Sequence, residues 1–280
     1  MKQARSVSEQ RSLWSLLGCW ALAALTALTL AACTTTSKGG GATDAAAPRT
    51  DSDQTDADRR AGVRMELAAG YFARGQYTTA LDEVKLALQA KPNMREAINL
   101  RGLIYAAMGE TQLAEENFRR ALASYPNDPD TLHNYGWMLC QQRRWPEADA
   151  QFDQALAQTS YRAPARTLLA KGVCEARAGR MDAAERSLAK AFEYDPASPA
   201  VAVNLAEALY RNKQFDRARF YIRRVNAQPE QSNAQSLWLE LRIERKLGHG
   251  VAVDELAQQL RKQHAQSPET QALNAGRFDE

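Results

Sequence analysis

Histidine and cysteine are scarce in this 280-residue chain, which holds three of the first and four of the second. His133, His249 and His264 stand far apart, none in an HExxH pair, and no Cys-x-x-Cys occurs. The local spacings that build zinc sites are therefore missing. There is no GxSxG elbow, no GxxxxGK(S/T) phosphate loop and no GxGxxG turn, which argues against the common hydrolase, NTPase and dinucleotide chemistries. The reading is of a non-enzyme with no cofactor, no metal and no small-molecule substrate. Neither sign of charge dominates, since 36 Lys+Arg stand against 33 Asp+Glu. Arginine pairs recur at Arg119-Arg120, Arg143-Arg144 and Arg223-Arg224 but form no single block. They read as solvated helix or turn faces, with no nucleic acid as partner.

What the sequence does have begins with a targeting pattern. Lys2, Arg5 and Arg11 precede an uncharged apolar run from Leu13 to Leu30, long enough by itself to span a bilayer. Leu30-Ala31-Ala32-Cys33 follows and resembles the bacterial lipobox. The resemblance implies cleavage after residue 32 and acylation of Cys33, with more than one chain giving a stable anchor. An uncleaved anchor or an ordinary signal peptide is the alternative. Thr34, in place of an aspartate, implies sorting to the outer membrane, at its periplasmic face. Residues 34–60 are rich in Thr, Ser, Gly, Ala and Asp and cannot bury enough apolar surface to offset ordering entropy. They read as a tether with a reach of roughly 30 Å.

The rest of the chain is periodic. A small residue recurs at Ala80, Ala114, Ala148, Ala184 and Ala218, at intervals of 34, 34, 36 and 34. Four residues after each stands a larger apolar one: Val84, Phe118, Phe152, Leu188 and Ile222. Ala68, Gly102, Gly136, Gly172 and Ala206 form another column, and Pro92, Pro126, Pro196 and Pro229 close four of the units. Gly75, Gly109 and Gly179 suit turns that need positive φ. This pattern resembles the tetratricopeptide repeat, a helix-turn-helix of 34 residues. The small residues let two helices cross closely and the large ones fill the groove beside them. The predicted fold is all-α: a right-handed superhelical solenoid of about six repeats at 61–94, 95–128, 129–164, 165–198, 199–232 and 233–266. The last is a divergent cap, and 267–280 a C-terminal tail. The two extra residues of the 36-residue interval are expected in a longer loop around Gln158 to Pro164.

Cys140 and Cys174 fall on the first helices of neighbouring repeats, which stack side by side. In an oxidising, exported setting they are expected to pair. Their columns differ by two positions, which leaves two buried free thiols as the alternative. First helices also line the concave face of such solenoids, so Met65, Ala69, Phe72, Asn99, Leu103, Ala106, His133 and Trp137, with Leu169 and Tyr210, are the candidate partner-binding groove. Inter-repeat core is the competing reading for each. His264 closes the last predicted helix, where positive charge is favourable.

Lipobox, tether and repeats together resemble the type IV pilus biogenesis and stability lipoproteins of the PilF/PilW family. The stretch LRGLIYAAMGETQLAEENFRRALASYPNDPDTLHNYGWMLC (residues 100–140) carries the more specific likeness, with the second cysteine at Cys174. The resemblance implies a pilotin that binds the type IV pilus secretin through its N-terminal repeats and aids its outer-membrane localisation and multimerisation. Pilus biogenesis and twitching motility would follow. A lipoprotein adaptor for outer-membrane protein assembly or for peptidoglycan enzymes is the alternative.

Overall fold

A computed structural model describes residues 55–278, so Cys33 and most of the tether lie outside the described residues. Among these residues there are thirteen helices and no strand. Six hairpins follow one another: α1 (Asp56–Ala73) with α2 (Tyr77–Ala90), α3 (Arg95–Ala107) with α4 (Thr111–Ser124), and α5 (Pro129–Gln141) with α6 (Trp145–Leu156). Then come α7 (Pro164–Arg177) with α8 (Met181–Tyr194), α9 (Pro199–Arg211) with α10 (Phe215–Asn226), and α11 (Ala234–Lys246) with α12 (Gly250–Gln263). The short α13 (Pro268–Asn274) ends the series. Each first helix touches the first helix of the next hairpin from α1 to α11, so the array is a stack of paired helices.

The repeating columns are the core. All five column alanines from Ala80 to Ala218 are fully buried, as are Val84, Phe118, Phe152 and Ile222, with Leu188 almost so. The glycine column has a steric cause. A Cβ on Gly102 or Gly136 would lie 2.8–2.9 Å from the ring of Phe118 or Phe152, and one on Gly172 would lie 2.5 Å from Leu188 Cγ. Where the partner is the slimmer Val84 or Ile222, the column holds Ala68 or Ala206 instead. Small and large residues are thus matched within each hairpin.

The hairpin turns need one left-handed residue. Gly109 supplies it at φ 82°, but Arg143 and Lys213 fill the same role at 61° and 59°. That strains the backbone by about 1–2 kcal/mol each. Proline opens α5, α7, α9 and α13, where the missing N–H costs no helical bond. The Asp128 and Ser198 side chains cap α5 and α9 by accepting from Thr131 and Val201 N–H. The α6–α7 connection runs from 157 to 163, longer than the four residues between α4 and α5.

The structure adds helix at both ends. Helix α1 starts at Asp56 within the segment read as tether, closed by a Thr55–Asp58 capping box. Residues 267–280, read as a tail, contain α13. Leu273 is buried, Thr270 Oγ1 donates to the carbonyls of Leu260 and His264 at 3.3 and 2.8 Å, and Phe278 stacks on Trp238 with ring centroids 5.5 Å apart.

Candidate protein-binding groove

Three depressions run in sequence over the first helices. The first, about 430 Å³, is lined by Met65, Ala69, Asn99, Leu100 and Leu103, with Arg95, Asp128, Asn134 and Arg166 around them. The second, about 290 Å³, is lined by His133, Trp137, Leu169, Ala170 and Val173. The third, about 260 Å³, adds Glu207, Ala208 and Arg211. Arg166 belongs to the first and second, and Val173 and Asn204 to the second and third, so the three form one trough.

The lining follows the repeat register. Counting from the crossing residue of each first helix (Ala68, Gly102, Gly136, Gly172, Ala206), the position one later gives Ala69, Leu103, Trp137, Val173 and Glu207. The position three earlier gives Met65, Asn99, His133 and Leu169. These two positions are four residues apart, on one helix face, and all nine residues line the trough. Sequence reasoning named Met65, Ala69, Asn99, Leu103, His133, Trp137 and Leu169 but did not extend the columns to Val173 and Glu207. It also missed the column two before the crossing: Leu100, Asn134, Ala170 and Asn204.

Phe72, Ala106 and Tyr210 stand four residues after the crossing, rotated from the trough toward a seam. Phe72 packs on Tyr77 with centroids 5.7 Å apart. Ala106 lies against the core of the second and third hairpins. Tyr210 meets Phe215 and carries Arg242 over its ring at 4.5 Å. Cys140 occupies this same column, and it is disulfide-bonded to Cys174, with Cα atoms 5.8 Å apart. The two-position offset between the cysteines has a geometric reason. The face of α5 that meets α7 is not the face of α7 that meets α5, so residues in contact belong to different columns. His133 and Thr167 repeat the offset seven residues earlier, at 2.8 Å between Nδ1 and Oγ1.

The trough has an apolar floor and polar edges. Asn134 Nδ2 donates to Asn99 Oδ1 at 3.2 Å, and Arg166 donates to Asn134 Oδ1 at 3.4 Å while facing Asp130 at 3.7 Å. Arg95 pairs with Asp128 at 3.0 Å. Trp137 is half-buried, with Arg177 over its ring at 5.2 Å. Burial, with Arg166 close by, pulls the His133 imidazole down to about 3, so it is neutral near pH 7. No group of three or more His, Cys, Asp or Glu able to hold a metal occurs among the described residues. An apolar floor edged by amides and guanidinium groups is chemistry for gripping a polypeptide.

Models of the tetratricopeptide repeat match residues 65–129 and 136–191, 117–150, and 175–238. The crystal structure of PilW, described as a widely conserved type IV pilus biogenesis factor, aligns with a TM-score of 0.70 at 30% identity. That alignment covers 76% of this chain and 97% of PilW. The chain belongs to the PilF/PilW family of tetratricopeptide-repeat proteins. The type IV pilus assembly protein PilF of Pseudomonas aeruginosa is 28% identical over 186 residues, 66% of this chain and 73% of that protein. A Pseudomonas aeruginosa pilF structure gives a TM-score of 0.70 at 26% identity, over 79% of this chain and all of that one. Membership in the PilF/PilW family makes the chain a scaffold rather than an enzyme. No described helix is long and apolar enough to cross a membrane.

Proposed function

We propose that the chain is a lipid-anchored pilotin of the type IV pilus secretin. Cys33 carries the acyl anchor, and the trough over the first helices receives a secretin segment. Confinement of that complex to the outer membrane raises the local concentration of secretin subunits and promotes their multimerisation. The observation that supports this most directly is the continuous trough, in which Met65, Leu103, Trp137 and Leu169 offer apolar anchors beside the Asn99–Asn134–Arg166 polar lane, in a chain of this family. Such half-exposed apolar side chains are poor solvent-facing residues but good contact residues.

The test is genetic and chemical. Deleting the gene should abolish heat-resistant secretin multimers in the outer membrane, and multimers forming normally there would end the pilotin reading. Radiolabelled palmitate should enter the wild-type chain and not Cys33→Ala; equal labelling would remove the anchor.

A further inference from the structure

We infer that the outward face of α10 is a docking surface for an anionic phospholipid bilayer. Ala218, Ile222 and Val225 are buried and fix the inner face of α10. Phe220 points the other way and is 62% exposed, its ring meeting that of Tyr221 edge to face at 5.1 Å. No packing among the described residues calls for a phenylalanine there.

Arginines surround that ring. Helix α10 carries four arginines and one aspartate, whereas α6, its counterpart two hairpins earlier, carries three acids and no base. The charges around α10 are also layered. The acids that meet its arginines are Glu185, Glu240 and Glu244, all mostly buried, at 16%, 10% and 1% exposure. The side chains of Arg217 and Arg223 are 51% and 56% exposed above them, and Arg224 is exposed with its guanidinium group 5.9 Å from the Phe192 ring. The three paired carboxylates lie inside and the arginine side chains outside, around an apolar ring, with Asp216 the one exposed acid on α10 itself. Guanidinium groups bind phosphate oxygens, and exposed apolar side chains such as Phe bury at the headgroup–acyl boundary of a bilayer. Charge complementarity therefore selects an anionic leaflet. The inference rests on the proposed anchor at Cys33, which would keep such a leaflet within reach.

The test uses the full chain reconstituted in vesicles, with p-benzoylphenylalanine replacing Phe220 or, as a control, the exposed Leu86. In phosphatidylglycerol vesicles, light should cross-link position 220 to lipid about tenfold more than position 86. The double substitution Arg223→Gln, Arg224→Gln should cut that adduct about 25-fold, because each basic group at an anionic surface contributes about fivefold. An unchanged melting temperature would show that the variant is folded. Phosphatidylcholine vesicles should give little adduct. A chain that floats with the vesicles but gives no lipid adduct at 220, or the same adduct in phosphatidylcholine, overturns the docking and leaves the anchor standing. A chain that floats with neither vesicle overturns both. An adduct at 220 with protein alone also overturns the docking, and would point to an acidic protein partner.

Discussion

His133 Nδ1 lies 2.8 Å from the Thr167 hydroxyl, across the seam where α5 meets α7. The hydroxyl is also within 2.6 Å of Tyr161 Oη, from the longer α6–α7 loop. His133 is 8% exposed and its imidazole pKa is pulled down to about 3, first by burial and then by Arg166. In the unfolded chain it returns to about 6.5. Below pH 6.5 the unfolded state takes up a proton that the folded state refuses, so stability falls as pH drops from 6.5 toward 3. The loss from this group should reach about 2–3 kcal/mol by pH 4.5. Denaturant unfolding at a series of pH values should show His133→Gln losing that much less than wild type over the same interval; parallel curves would refute the assignment.

The Cys140–Cys174 bridge lies on the same seam, two turns further along. Its sequence separation is 34 residues, and both sulfur-bearing side chains are buried. Loop closure of that length should contribute about 3–4 kcal/mol. Denaturation with and without reductant measures it. Two thiols titrated in unfolded, unreduced protein would show that the bridge does not form.

Two glycines should respond to the same substitution with opposite signs. Gly172→Ala forces a Cβ to 2.5 Å from Leu188 Cγ and 3.3 Å from the Ala184 carbonyl oxygen, so it should destabilise by about 1–3 kcal/mol. A Cβ on Gly62, within α1, meets nothing within 4 Å. Gly62→Ala should stabilise by about 0.5–1 kcal/mol through helix propensity alone. Melting curves of the two variants decide it.

Trp137 is the largest apolar side chain of the trough and is only half-buried. On the proposed pilotin reading, Trp137→Ala should weaken secretin capture by about 2 kcal/mol or more, roughly 30-fold, as central aromatic anchors do. Titration of secretin against the variant reads the loss directly, and unchanged affinity would move the binding site away from the second depression.

Much of this was legible in the chain because a repeat states its core several times. The Ala and Gly columns and their large partners could be read by alignment, since each copy obeys the same crossing geometry. The trough was legible where a residue shares the register of the crossing, as Leu103 and Trp137 do. It was misjudged where a small rotation matters: Phe72 and Tyr210 belong to a column that turns into the seam, a difference set by helix packing and not by residue type. Positions such as Arg143 and Lys213 gave no sign of their left-handed backbone, because glycine is what that conformation ordinarily selects. Helix α13 was missed because seven residues offer too short a pattern, even with Pro268 opening it.

The pairing of Gly with Phe118 or Phe152, and of Ala with Val84 or Ile222, bears on how such an array can be inherited. Each hairpin is a key cut for its own lock. Genetic exchange that breaks at the prolines would move hairpins whole and keep them matched. Exchange that breaks at the inner turns would set Phe118 against Ala68, with no room for its ring. New members of the array should therefore arise by duplication or swapping at the proline joints, and crossovers inside a hairpin should be selected against.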